Sequence, residues 1–371
     1  MTLRPAWLRP PTFADVTEGR DNNLNLLRMV AASSVLFSHS YALTGHMLDE
    51  PVAVATAQGT DAATIGVVVF FAISGFLIAQ SLARTSSLIA YAVSRALRIV
   101  PGLMVAKLFC VLVIGWYATS LTSGAYWTHA DTWRFLLACP YFDVRDRLPG
   151  VFEHNPYPLA VDGSLWTIPI ETWCYAAAAV LAFVSLLRRR AAFTVFVLIA
   201  TIPYALFPRT INAWLPGGGY GTIPVLLFTF MFATGLFVCR HRVPVSLPLA
   251  AAVLVTLLIA DIRSFGAVYY AGIAYVALVL AYHPRLRWRA YLRVGDYSYG
   301  TYVFAFPIQQ FIIWRFGITE PPLLFALAFI MTIALAIVSW HAVEKPALRQ
   351  KSSLRAWRPK FVYGLRRTTR S

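Results

Sequence analysis

The sequence predicts an all-α protein, a polytopic transmembrane bundle of about ten spans with both termini cytoplasmic, and three observations predict it. Of its 371 residues 58% are hydrophobic and only 13% charged, with a mean hydropathy of +0.63, too apolar for a water-soluble chain of this length. Apolar runs approaching the ~20 residues that cross a bilayer recur along the chain. The basic residues, finally, alternate with those runs.

Taken in order, the runs lie near 24–44, 62–83, 99–121, 165–187, 191–207, 222–239, 247–261, 265–282, 297–316 and 321–343. A polar leader, 1–23, precedes the first. That run ends in "GHMLDEP" rather than a small-residue cleavage site, so it is expected to stay as a helix and not to be removed as a signal peptide. The second holds "FFAISGFLI", and the third follows "SRALRIVPG". Between the third and fourth lies a connection, 122–164, long for neighbouring helices. The fourth opens on "GSLWTIPIETWCY", with Pro169 near its start. The seventh is the shortest convincing run, and the last ends at Glu344 before a basic tail, 345–371. The unit between leader and tail, 24–344, is the membrane domain.

A net charge of +16 raises the question of nucleic acid, and the placement of the charges answers it. One set of alternate segments holds Arg4, Arg9 and Arg20, then Arg84, Arg95 and Arg98, then Arg188–Arg190, Arg240 and Arg242, Arg285, Arg287, Arg289 and Arg293, and the tail from Lys345 to Arg370. The other set holds only Arg134, Arg145, Arg147, Arg209, Arg263 and Arg315. The positive-inside rule puts the first set in the cytoplasm. The tail is then a topology anchor against anionic lipids, with no nucleic-acid partner. Cys110, Cys139, Cys174 and Cys239 form no CxxC pair and no His cluster accompanies them, so no metal site is expected.

Polar groups inside the apolar runs carry the chemistry. Arg28 and His39 are eleven residues apart on one helix face, about 16 Å along the axis; each is either a site residue or, for Arg28, a snorkelling side chain and, for His39, a helix-to-helix hydrogen bond. Arg95 and Arg98, three apart, present two guanidiniums on one face, suited to phosphate oxygens and equally to topology anchoring. The 122–164 connection mixes aromatics (Tyr126, Trp127, Trp133, Tyr141, Phe142, Tyr157) with carboxylates (Asp131, Asp143, Asp146, Glu153, Asp162), either a sugar-binding surface or an interfacial belt. Ser74 in "ISGF" lacks a nucleophile elbow, and Gly75 suits close helix packing. "GGGYG" at 217–221 lacks the Lys of a phosphate loop.

Four stretches together resemble the acyltransferase-3 family of integral membrane acyltransferases: "NLNLLRMVAASSVLFSHS"; "GVVVFFAISGFLIAQSL" with "SRALRIVPG"; "GSLWTIPIETWCY"; and "GDYSYGTYVFAFPI" with "WHAVEKP". Two positions depart from the family pattern: Val68 stands where an aspartate is common, and Ala305 where a histidine is. The resemblance implies a multi-pass protein of the bacterial cytoplasmic (inner) membrane, transferring an acyl group from cytoplasmic acyl-CoA, usually acetyl-CoA, to a hydroxyl of a carbohydrate such as an exopolysaccharide or its lipid-linked repeat unit. It implies His39 as general base, Arg28, Arg95 and Arg98 as donor-binding groups, Glu171 as a catalytic or acceptor-orienting carboxylate, and Trp166 and Tyr175 at the acceptor. The alternative is a carrier that exports a lipid-linked or acylated saccharide without consuming thioester.

Overall fold

A computed structural model describes residues 10–19, 21–57, 59–85, 87–138, 145–206, 222–259, 266–291 and 294–350. Cys139, Tyr141, Phe142, Asp143, Arg209, Arg263, Arg293, "GGGYG" and the tail beyond 350 lie outside them. Among the described residues there is no strand, only isolated bridges such as Thr119 to Val151. Helices stand at all ten apolar stretches: α1 (Leu24–Leu43), α2 (Ala62–Arg84), α3 (Leu88–Phe109), α4 (Thr167–Phe183), α5 (Arg190–Leu206), α6 (Thr222–Val238), α7 (Leu247–Ile259), α8 (Ala267–Tyr282), α9 (Ser298–Phe316) and α10 (Pro321–Ser339). Four segments, Ala62–Arg84, Leu88–Ala118, Gly163–Phe183 and Pro321–Arg349, are long and apolar enough to cross a membrane. Four more are shorter apolar helices.

Helix starts follow local chemistry. Asp61 caps α2 by accepting from the Thr64 amide at 2.6 Å, and Ser87 caps α3 by accepting from Ala90 at 3.3 Å, which satisfies amide groups that a helix leaves orphaned. Pro321 opens α10, where the missing N–H costs nothing. Two helices pass through a π-helical turn, α3 at Cys110–Gly115 and α10 at Trp340–Glu344, the kind of local widening that re-aims side chains.

α2 is the central element, packed against α1, α6, α8 and α4, while α1 also meets α9 and α10. Close approach depends on small residues, as apolar helices in lipid require. A Cβ on Gly66 would stand 2.6 Å from the Ala31 carbonyl oxygen, and one on Gly300 would stand 2.9 Å from Ala336. Gly75 lies directly against the Phe230 backbone of α6, the packing role expected for it. A larger residue would push α2 off α1 at Gly66 and off α6 at Gly75, and α9 off α10 at Gly300.

The connection after α3 is anchored rather than loose. Tyr126 is fully buried and donates to the Val111 carbonyl at 3.0 Å; Trp133 Nε1 donates to the Trp127 carbonyl at 2.8 Å. Two of the candidate sugar-stacking aromatics are thus committed to structure. Asp162, also buried, accepts from the Ser164 amide and hydroxyl at 3.2 and 2.6 Å. Burial is the largest influence on this carboxyl and outweighs the Ser164 bonds, pushing it up to about 7. The folded chain therefore keeps this proton up to about pH 7, whereas an unfolded chain releases it near ~3.9. Between those values the folded state binds more protons, so its stability falls as pH rises. Asp162→Asn keeps an acceptor for Ser164 and lacks the titration. Thermal unfolding in detergent is expected to show the wild type losing ground to the variant from about pH 4 to about pH 7, with no further change above; parallel curves would make Asp162 an ordinary ionised carboxylate.

Candidate functional site

A cavity of about 660 Å³ opens among α1, α2, α3, α4 and the start of α9. It follows α2 from Arg84 to Val67, 17 residues and so about 26 Å of helix; it is a channel rather than a bowl. Arg84 stands at one end on α2, with Arg95, Arg28, Arg98 and Asp296 also in the wall; ten residues along α2 Ser74 meets Glu171, which Tyr175 also bonds, and Thr167 and Tyr302 line the wall as well. Arg28, Arg95, Arg98, Glu171 and Tyr175, drawn from three helices, thus share one cavity.

The two arginines three apart do different things. Arg98 Nη2 pairs with Asp296 Oδ2 at 2.7 Å, and Arg28 Nη1 reaches the same oxygen at 3.4 Å. Ser298 Oγ donates to Asp296 Oδ1 at 2.6 Å. Burial would push the Asp296 carboxyl up, but the Arg98 and Arg28 guanidiniums outweigh it and hold it below the usual carboxylate range. Arg98 also lies over the Tyr299 ring, 5.9 Å from its centroid. Arg95, by contrast, donates to Ser94 Oγ at 3.4 Å and has no carboxylate at ion-pair distance among the described residues. It is the guanidinium left available for an anion.

Farther in, Glu171 accepts from Ser74 Oγ at 3.1 Å and from the Tyr175 hydroxyl through Oε1. Glu171 and Tyr175 are one turn apart on α4, so the helix itself brings them together, and Pro169 stands on the same first turns without breaking it. Also in the wall, Tyr302 OH bonds Thr167 Oγ1 at 2.8 Å and the Ser164 carbonyl at 3.0 Å.

His39 does not line this cavity. Its ring packs edge-on against Phe306, with centroids 5.3 Å apart, and Phe306 is one α9 turn beyond the cavity-lining Tyr302. The buried Nδ1 has no hydrogen-bond partner among the described residues. Trp166 is half-buried against the main core and likewise does not line the cavity. Val68 and Ala305, where the chain departs from the resemblance, are both buried among apolar neighbours.

Sequence reasoning missed Asp296, present in "GDYSYG" as the carboxylate just ahead of an apolar run and a ready partner for intramembrane arginine. It also set aside Ser74, which serves as a donor to Glu171, and counted Arg84 only as an inner charge. Among the described residues no group of His, Cys, Asp or Glu is arranged to hold a metal.

A family model described as an acyltransferase domain matches residues 21–341. The chain is similar to an "O-acetyl transferase" of Shigella phage Sf6, 28% identical over 90% of this chain and 98% of that protein. It is similar also to "Nodulation protein 10" of Rhizobium leguminosarum bv. viciae, 27% identical over 92% of this chain and 97% of that protein. No solved structure matches.

Proposed function

Since this chain belongs to the acyltransferase-3 family and is an enzyme that transfers acyl groups, we propose that it O-acetylates a carbohydrate hydroxyl from acetyl-CoA on the cytoplasmic side of the bacterial inner membrane. The observation that carries the reading is the channel that holds Arg84, Arg95, Arg28 and Arg98 toward one end and Glu171 farther in. Guanidiniums hold phosphate oxygens through charge-assisted, bidentate bonds, so the anionic end of acetyl-CoA fits the arginine end and its thin arm fits the channel. Ten crossings with both termini cytoplasmic, inferred from the charge distribution, set that end at the inner surface.

His39, beyond the far end, is the base. It takes the proton of the acceptor hydroxyl as the oxygen bonds to the thioester carbon; the C–S bond then breaks and the sulfur leaves as the free thiol, recovering a proton from the imidazolium. Glu171, oriented by Ser74 and Tyr175, positions the reacting groups. Tyr175 in the channel wall, and Trp166 just ahead of α4 and outside that wall, belong to the acceptor side. The test is direct: membranes containing the chain, given acetyl-CoA labelled in the acetyl group and saccharides from the producing bacterium, are expected to move label into saccharide. Saccharide translocation with no thioester consumed would favour a carrier instead.

Arg95 offers the cleanest donor-side variant because no ion pair among the described residues depends on it. Arg95→Ala is expected to weaken acetyl-CoA binding by roughly 10-fold to 100-fold, since charge-assisted bonds are worth about 1.5–3 kcal/mol, with insertion unchanged. Equilibrium binding of labelled acetyl-CoA to purified protein measures it; unaltered affinity returns Arg95 to topology anchoring.

A further inference from the structure

A second cleft of about 550 Å³ lies at the other end of α9 from Asp296, lined by Ser120, Glu153, His154, Asn155, Trp314 and Thr319 among others. From Asp296 to Trp314 is 18 residues, so the two openings are about 27 Å apart along the bundle. The volume falls in the range of small-molecule sites, about 300–1,000 Å³. We infer that this cleft binds the sugar units that flank the acylated one in a neutral oligosaccharide or polysaccharide acceptor. The inference rests on the carbohydrate acceptor proposed above and adds where, and at what length, that acceptor is held.

The chemistry of the walls selects the class. The described lining holds one carboxylate, Glu153, and no Arg or Lys, the reverse of the inner channel with its four arginines. Phosphate-bearing groups are thereby disfavoured. Hydroxyl-rich ligands are favoured instead, because Ser120, Glu153, His154 and Thr319 can all accept or donate to them. Trp314 supplies a flat face and is 37% exposed. It is braced by Phe311 at 5.8 Å and by Tyr117, edge-on at 5.7 Å. The electron-rich face of such a ring attracts the weakly positive C–H face of a pyranose.

The walls are also held in place, as a preformed site needs. Asn155 Nδ2 donates to Gln310 Oε1 at 2.8 Å and to its carbonyl at 3.0 Å, and Gln310 Nε2 donates back to the carbonyls of Tyr157 and Ala160 at 2.7 and 2.8 Å. Thr119 Oγ1 donates to the Pro149 carbonyl at 2.8 Å. Phe152, nearly fully buried, is fixed at φ 57°, and Leu159 at φ 70°, left-handed conformations that cost bulky residues energy and persist where the surroundings enforce them.

The cleft leads toward His39. Two residues beyond Asn155, the Tyr157 ring packs against Phe306 at 6.2 Å, and Phe306 packs against His39 at 5.3 Å. Trp314 is eight residues, about 12 Å, farther along α9 than Phe306. A sugar stacked on Trp314 is therefore too far from His39 to be the one acylated, and the cleft holds its neighbours in a longer chain.

The experiment uses the full chain in lipid nanodiscs and, as probe, fluorescently tagged oligosaccharides released by partial hydrolysis from the producing bacterium's own surface polysaccharide. The wild type is expected to bind them. Trp314→Ala and Glu153→Gln are each expected to raise the dissociation constant and the acceptor KM about 10-fold, the loss of one good contact, while leaving the KM for acetyl-CoA unchanged. The penalty should vanish for a single-sugar acceptor. Binding that survives both substitutions overturns the inference, as does a wild type that binds none of these oligosaccharides. So does a Trp314→Ala protein that inserts poorly beside a Glu153→Gln protein that binds normally, since that marks Trp314 as an interfacial anchor. Variant-sensitive binding with no acetyl-CoA consumed would refute acyl transfer and keep the cleft; acetyl transfer with variant-insensitive binding would refute the cleft alone.

Discussion

His39→Gln is expected to lower acyl transfer about 100-fold or more while leaving insertion and acetyl-CoA binding near normal. The two roles open to an intramembrane histidine make opposite demands on this substitute. Glutamine keeps hydrogen-bonding capacity and much of the volume, so a histidine acting as helix glue tolerates it; a base does not, because an amide cannot take up and release a proton near neutral pH. The surroundings favour the second role. A glue histidine uses its ring nitrogens, whereas the buried Nδ1 here bonds nothing among the described residues and the ring rests edge-on against Phe306. Donor binding should be spared, because Arg28 is eleven residues and so about 16 Å away on the same helix, and Arg95 and Arg98 lie at the opposite end of the channel. Transfer of labelled acetyl by purified, binding-competent protein measures the effect. Turnover at the wild-type rate would remove His39 from the mechanism and make Glu171 the next base to test.

The helices were legible because lipid leaves a chain few options: backbone groups must be satisfied within the segment and side chains must be apolar, so every stretch that folds as a long helix announces itself in composition. The convergence of Arg28, Arg95, Arg98, Glu171 and Tyr175 was legible only through the family resemblance, since nothing in local spacing brings α1, α3 and α4 together. What distinguishes Arg95 from Arg98 was not legible at all. Their separation of three residues predicts a shared face, but the carboxylate that claims one and leaves the other is Asp296, about two hundred residues away in the chain and set beside Arg98 by helix packing. The cleft beside Trp314 was half legible. The 122–164 connection did carry a sugar-like mixture of aromatics and carboxylates, yet packing uses Tyr126 as a buried strut and recruits Trp314 from the end of α9 instead.

Asp296→Asn is expected to lower resting thermal stability, to cut transfer at least 10-fold, and to make the stability that remains depend on donor. Two guanidiniums share one carboxylate oxygen here, with the Asp296 side chain 9% exposed and those of Arg28 and Arg98 20% and 22%. Removing one partner of a fully buried pair costs roughly 3–5 kcal/mol, because the other charge is left uncompensated; the partial exposure of the arginines makes the cost smaller here. Asparagine keeps an acceptor for Ser298 Oγ, so the start of α9 stays built and the lost quantity is charge. The anionic phosphates of acetyl-CoA can replace that charge, so the donor should raise the melting temperature more in the variant than in the wild type. Asp296→Glu should restore part of both stability and transfer. Acid provides the matching control. Since the two guanidiniums hold the folded carboxyl below its ordinary value, its contribution is full above the unfolded pKa of about 3.9 and is lost only as pH falls through the lower folded value. The wild-type advantage over Asp296→Asn should therefore persist from neutral pH down to about 4 and shrink below it. Melting curves with and without acetyl-CoA, at neutral pH and near pH 4, read all of these effects. Equal melting temperatures and equal donor-induced shifts in the two proteins would show that Arg28 and Arg98 are held by the helices that carry them, with the carboxylate contributing nothing.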